Sequence, residues 1–234
     1  MRHTARQRNT QRGFTIVELM IAVAVFGVIL MGATTAVIQI GRMYHKGIIS
    51  ARTQQTTRRI MDDITRPIQF AGRDIAGINQ TVNYTTTNGE TITVHSFCLG
   101  NDRYSYVLNR QVYDGLNSGF SDQSNQRLRH ALWRDRAPDG AAAGNCTPCN
   151  LSQDVPCGEG EELLEQFMRI KNLTISNLDG TVYNVGLEII YGDSDLIEFA
   201  DAANTEPITC KGAIAGSQWC AISGLQASVL KRIQ

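Results

Sequence analysis

Few residues in this sequence are placed to do chemistry, and the first of them stands out by its surroundings. Glu18 lies within Phe14-Thr15-Ile16-Val17-Glu18-Leu19-Met20-Ile21-Ala22-Val23-Ala24-Val25-Phe26, a run whose other members carry no formal charge. A carboxylate is costly in a membrane interior. It becomes tolerable at an interfacial edge, near the positive end of a helix dipole, or opposite a cation that shares its low-dielectric setting. The other candidates are cysteines, histidines and one acidic turn. All six cysteines (Cys98, Cys146, Cys149, Cys157, Cys210, Cys220) follow the apolar run. An even number confined to that side implies disulfides in an oxidising compartment, with the pairing open. Cys146-x2-Cys149 with Cys157 has zinc-ligand spacing. It lacks a second Cys-x2-Cys and a nearby histidine, so disulfides are expected and metal is not. Gly192-Asp193-Ser194-Asp195 with Glu198 offers oxygen ligands for calcium but not the full loop pattern, so a solvated turn is expected. The histidines are His3, His45, His95 and His130, and no serine elbow, phosphate loop or His-Glu-x-x-His motif accompanies them. No catalytic residue and no cofactor are assigned, and an enzyme is not expected.

The elements that must position these residues follow from charge and periodicity. The formal charge of the 234-residue chain is zero, but its distribution is uneven. Arg2, Arg6, Arg8 and Arg12 precede the apolar run; Arg42, Lys46, Arg52, Arg58, Arg59, Arg66 and Arg73 follow it; the remainder is acidic. Leu19–Gly41 contains no charged residue, and about 20 helical residues cross a bilayer. Arginines ahead of the span keep the N-terminus cytoplasmic and export the bulk, with Arg42 and Lys46 beyond it opposing that orientation without reversing it. An ordinary secretory signal would avoid Glu18 and end in a small-x-small cleavage site, which is not evident here. Beyond the span, Ile60, Ile64 and Ile68 recur every four residues with Met61 beside them, the stripe of an amphipathic helix. Pro67 lacks a backbone donor and predicts a kink or an end near Arg66. A helix over residues 14–66 would be about 80 Å long. Gly27, Gly32, Gly41 and Gly47 punctuate it, either for close helix packing or simply as the small residues common in membrane helices.

After Gly72 the pattern becomes that of strands. Residues 81–87 and 90–97 flank Asn88-Gly89, a hairpin signal. Further strands are predicted over 104–108, 128–133 and 168–175, along the alternating Val185, Leu187, Ile189 and Tyr191, and over 219–233. Asn177-Leu178-Asp179-Gly180 reads as a turn joining two of them. Residues 137–160 read as a long loop stapled by disulfides. Consecutive strands joined by turns imply an antiparallel sheet with one face covered by the helix.

Arg12-Gly13-Phe14-Thr15-Ile16-Val17-Glu18-Leu19 resembles the processing motif of type IV pilins and type II secretion pseudopilins. In that family a basic leader ends in Gly, a Phe follows, and a Glu stands five residues after the Gly. The resemblance implies cleavage after Gly13 and N-methylation of Phe14 by a membrane prepilin peptidase. It also implies that Glu18 neutralises the new N-terminal amine of a neighbouring subunit during assembly. The implied fold is α+β, a long N-terminal helix packed on an antiparallel β head. Its parts are a leader at 1–13, a transmembrane and polymerisation helix at 14–41, an amphipathic helix at 42–72, and a head at 73–234. Cys210 and Cys220 resemble the C-terminal disulfide loop of many pilins, which leaves Cys98 to pair within Cys146, Cys149 and Cys157. Thr35 stands where many major pilins carry proline, while Gly27 falls where their helix loosens in the fibre. The head is also larger than most, and the departures lean towards a minor pilin or a pseudopilin of the larger J-like or W-like type. The implied partners are other pilin or pseudopilin subunits, the inner-membrane assembly platform and the membrane itself before assembly. The implied location is the cytoplasmic membrane with an exported head, then an extracellular or periplasmic filament. A tip adhesin, or a subunit binding DNA or secretion substrate, is the alternative within the same filament.

Overall fold

The computed structural model describes residues 13–71, 75–85, 91–112, 130–138, 145–153, 157–198, 208–212 and 216–232. The predicted turn at Asn88-Gly89 and the arginines of the leader lie outside these residues. Among the described residues, helix α1, Ile16–Ala71, is followed by ten strands. The chain divides into two compact units, Met1–Tyr44 and His45–Gln234.

The described part of the first unit is helical from Ile16, and residues 13–40 are all exposed. By length and composition the helix suffices to cross a membrane. Its polar side chains are handled internally. Thr34 donates to the carbonyls of Leu30 and Met31, and Thr35 to those of Met31 and Gly32, at 2.8–3.1 Å. A hydroxyl satisfied by its own helix needs no water, which suits lipid. A Cβ added at Gly27, Gly32 or Gly41 would meet nothing within 4 Å, so among the described residues nothing packs on those glycines.

In the second unit the helix becomes one-sided. Ile49, Thr53, Thr57, Ile60, Met61, Ile64 and Ile68 are buried, while Arg58 and Arg59 are exposed. Ile60, Ile64 and Ile68 are the predicted stripe; the buried threonines extend it towards the N-terminus. Thr53 donates to Ile49 O at 2.8 Å and Thr57 to Thr53 O at 2.7 Å, so a polar residue is buried without an orphaned group. The helix does not end at Pro67 but runs on to Ala71. Interior proline costs about 3 kcal/mol, and Ile68, with no exposed surface, anchors the turn that follows it.

The single expected sheet is three. Strands β1 (Ile75–Thr85), β2 (Thr91–Leu99), β3 (Asp102–Tyr106), β4 (Leu132–Arg136) and β5 (Gly160–Glu162) form one in that order, all antiparallel. Strand β7 (Val182–Tyr191) lies between β6 (Met168–Asn177) and β10 (Ala221–Leu230) in a second, also antiparallel. Strands β8 (Ile197–Glu198) and β9 (Thr209–Cys210) make a short third pair. Strand β3 ends at Tyr106, and Leu108 instead bridges in parallel to Ile170, linking the first two sheets. The turn at 177–180 forms as expected: Asn177 Oδ1 accepts from Gly180 N, and Asp179 Oδ1 accepts from the amides of Thr181 and Val182. Gly180 there takes a φ of 83°, which favours glycine.

One hydrophobic core joins the helix to both larger sheets. Ile60, Met61, Ile64 and Ile68 pack with Phe97, Leu99, Tyr104 and Tyr106 of the first sheet and with Ile170, Tyr183, Val185, Leu187 and Ile189 of the second. Phe97 and Tyr104, paired across β2 and β3, stack at 4.7 Å. At the edge of this core Arg134 Nη1 donates to Asp63 Oδ1 at 2.6 Å and the Tyr104 hydroxyl to Asp63 Oδ2 at 3.0 Å. Burial and the adjacent Asp63 carboxylate hold the Tyr104 phenol well above its ordinary range. Truncation of Ile64 to Ala should therefore lower the unfolding free energy by about 2–5 kcal/mol, whereas Arg58→Ala on the exposed side stays within about 0.5 kcal/mol. Denaturant unfolding of the full chain in detergent, followed by head fluorescence, measures both.

Candidate processing and assembly site

Gly13, Phe14 and Thr15 precede the first helical residue, Ile16, and Phe14 is 81% exposed. The bond between Gly13 and Phe14 is thus on non-helical, accessible chain, as a cleavage site requires. Glu18 lies in the first helical turn. Its carboxylate is not idle there. Glu18 Oε2 accepts from the Thr15 amide and from the Thr15 hydroxyl, each at 2.9 Å, while Thr15 Oγ1 accepts from the Glu18 amide at 3.2 Å.

This reciprocal pair is a capping box. A helix begins with amides that have no carbonyl to bond, and a Thr or Ser with an acid three residues later satisfies two of them. The Thr-x-x-Glu spacing of residues 15–18 is visible in the sequence, so Thr15 could have been found by its offset from Glu18; attention to the charge alone passed over it. The box lies wholly on the C-terminal side of Gly13 and is retained if the chain is cut there. Both acceptor bonds fall on Oε2, so the box does not commit Oε1.

The remaining candidates are distributed over the head. Cys210 pairs with Cys220 and Cys98 with Cys146. Cys149 and Cys157 are free thiols, and with Asp135 they bring their three ligand-type atoms within 4.8 Å. Sequence reasoning did not connect Asp135 to them. Asp193 and Asp195 sit in the turn between β7 and β8, where Asp193 Oδ1 accepts from the Ser194 amide and Lys211 donates to the Asp195 carbonyl at 2.7 Å. His45 stacks on Trp219 at 4.6 Å. His95 stacks on Tyr106, and burial lowers its pKa. His130 is buried edge-on to Trp133, with Glu162 Oε2 3.7 Å away. A shallow depression in the head is lined by Phe167, Tyr191, Asp193, Asp195, Leu196 and Trp219.

A family model described as the prokaryotic N-terminal methylation motif matches residues 8–34. The match spans Gly13, Phe14 and Glu18 and ends within the exposed apolar part of α1. No curated protein and no solved structure matches the chain. The motif supports a pilin- or pseudopilin-like subunit, anchored in a membrane by its apolar helix before assembly, and it is a motif of structural subunits rather than enzymes.

Removing the hydroxyl by Thr15→Ala takes away both side-chain bonds that involve Oγ1. The Glu18 amide should then exchange with solvent several-fold faster in a detergent micelle, as expected for a lost cap. Glu18→Gln, which keeps the geometry of the box, should protect it nearly as well as the native residue. Amide hydrogen exchange read by NMR distinguishes the two.

Proposed function

We propose that this chain is a minor pilin or pseudopilin. It is cut after Gly13, methylated on Phe14, held in the cytoplasmic membrane by residues 14–41, and polymerised through that helix into a type IV pilus or related secretion filament. The observation that carries the reading is the coincidence of the methylation motif with an exposed, non-helical Gly13-Phe14 bond and a helix that is exposed and, but for Glu18, uncharged over residues 16–40. Apolar surface this continuous is stable in lipid or against similar helices, and not in water. Glu18 is the assembly residue. Cleavage places a cationic amine on Phe14, and a carboxylate in the first turn of a neighbouring helix is an opposite charge in a medium where an unpaired charge is costly. Further partners are the prepilin peptidase that makes the cut and the inner-membrane platform that drives assembly. The 73–234 head is displayed on the outside of the filament.

One observation favours the alternative of a tip subunit that binds a ligand. The depression at Phe167, Tyr191 and Trp219 presents aromatic surface with Trp219 42% exposed. The carboxylates of Asp193 and Asp195 at its rim disfavour a phosphate-bearing ligand, so DNA would have to use the exposed Arg58 and Arg59 instead.

Mass spectrometry of the mature protein tests the processing. The expected N-terminal residue is methylated Phe14; an intact leader, or a terminus produced downstream, would overturn the proposal. In cells that depend on this subunit, Glu18→Ala should be processed normally yet leave few filaments on the surface. Normal filament numbers would remove Glu18 from the assembly step.

A further inference from the structure

Strands β2 to β4 of the first sheet are largely buried on both faces, and the outer face carries an unusual cluster. Strand register aligns Cys98 of β2 with Arg103 of β3 and Asp135 of β4 in one row, with Ser96, Ser105 and Trp133 in the next. These side chains face away from the helix, since Phe97, Leu99, Tyr104 and Tyr106 occupy the opposite face. Residues 145–149 are laid across the row. Cys146 bonds to Cys98, the Cys149 amide donates to Ser105 Oγ at 2.9 Å, Arg103 donates to Thr147 O at 3.0 Å, and the Tyr84 hydroxyl donates to Pro148 O at 2.7 Å. The segment therefore presents Cys149 at a fixed place, fully buried, with Sγ 2.9 Å from Asp135 Oδ2. Cys157 returns to the same spot and is half-buried.

Two chemistries fit two thiols and a carboxylate gathered within 4.8 Å: a metal site or a cystine. Charge decides between them. Asp135 is already engaged through both oxygens by the Arg103 guanidinium, which is itself nearly buried. A dication bound to Asp135 would have to displace that guanidinium or sit beside it. A cystine has no such conflict, since it removes the thiol proton and adds no charge.

We propose that Cys149 and Cys157 form a third disulfide once the head is exported, with Cys157 as the thiol that first meets the oxidant. The inference rests on the reading of the head as an exported domain. The oxidant is a disulfide, protein-borne or small. Cys157 thiolate attacks one of its sulfurs, making a mixed disulfide and releasing one oxidant thiol. Cys149 then attacks the Cys157 sulfur, and the second oxidant sulfur leaves as a thiolate that takes up the Cys149 proton. Overall two protein thiols become one cystine, and one oxidant disulfide becomes two thiols. Exposure favours Cys157 for the first step. So does its acidity: the adjacent Cys149 thiol lowers its pKa to about 6 against the opposing effect of burial, with the Asn150 amide assisting. The Cys149 thiol is pushed strongly upward, first by its bond to Cys157, then by burial and by Asp135. The closed bond would pin the segment whose Cys149 and Leu151 pack with Ile92, Val94 and Val107, directly before the chain re-enters the sheet as β5.

The test uses the full chain purified from membranes in detergent, with thiols trapped by iodoacetamide and peptides mapped by mass spectrometry. None of the six cysteines should be labelled before reduction, with a Cys149–Cys157 linked peptide recovered. Two labelled thiols at Cys149 and Cys157, alongside intact Cys98–Cys146 and Cys210–Cys220, would overturn the third bond while leaving the exported head standing. Six labelled thiols would overturn the export reading and the proposal with it, and stoichiometric zinc released with two labelled thiols would replace the cystine by a metal site. The order of attack is read in single variants treated with oxidised glutathione. Cys157 in Cys149→Ser should form its mixed disulfide on the order of ten-fold faster than Cys149 in Cys157→Ser; equal or reversed rates would refute that order.

Discussion

One helix has to satisfy two solvents, and the place where its apolar surface narrows from every side to a single stripe governs the rest of the chain. Up to residue 40 the helix is exposed on all faces and apolar on nearly all, a surface only lipid or another such helix can cover. From Ile49 onward the buried residues fall at spacings of three and four, and the same backbone serves as the central layer of a folded head. The head is therefore not a domain tethered to a helix. Without Ile60, Ile64 and Ile68 the inner faces of its two larger sheets would have no common partner, because neither sheet alone closes a core.

That arrangement leaves the outer face of the five-stranded sheet to be covered by something else. A sheet flanked by a helix normally turns polar residues outward to water. Here Ser96, Cys98, Arg103, Ser105 and Asp135 point outward but are buried, because the segment from Asn145 onward lies over them. Burial of an arginine and an aspartate is sustainable only when they meet each other and the remaining donors find acceptors. Arg103 does both, through Asp135 and the Thr147 carbonyl. Close approach leaves its mark on β1. Gly77 has a φ of 65°, and a Cβ there would lie 2.4 Å from that of Cys146, so the covering segment and the bulge in β1 between Ala76 and Gln80 fit only around a glycine.

What was legible in the sequence was what repeats along the chain. The isoleucine stripe, the alternation of Val185, Leu187 and Ile189, and the Asn-Leu-Asp-Gly turn each carry their own period or local chemistry, and each appears where expected. What was not legible depends on register between distant strands. Nothing in the spacing of Cys98, Arg103, Asp135 and Cys149 announces that they share one patch; only the pairing of β2 with β3 and β3 with β4 brings them together. Division into separate sheets was hidden for the same reason, since alternation predicts a strand and says nothing of its neighbour. Pro67 does not end the helix, for another reason. Its local cost is real, but local preference yields when buried side chains on both sides of it, Ile64 and Ile68, hold the helix in place.

Glu18 shows how the two kinds of information combine. Its type and position marked a carboxylate in need of an edge, a helix dipole or a cation, and the structure adds that the same group bonds Thr15 and closes the start of its own helix. The two roles are compatible because they use different features of one residue. Capping is directional and occupies Oε2 through two donors; charge neutralisation is less directional and acts on the whole carboxylate. A box formed at residues 15–18 also fixes the rotamer of Glu18, so the charge is presented at a defined height on the helix rather than swept over several ångströms. For smooth apolar helices that could otherwise slide past one another, a charge held at a fixed height converts electrostatic attraction into an axial register. If Glu18 takes the assembly role proposed above, the hydroxyl of Thr15 belongs to that chemistry as much as to the start of the helix.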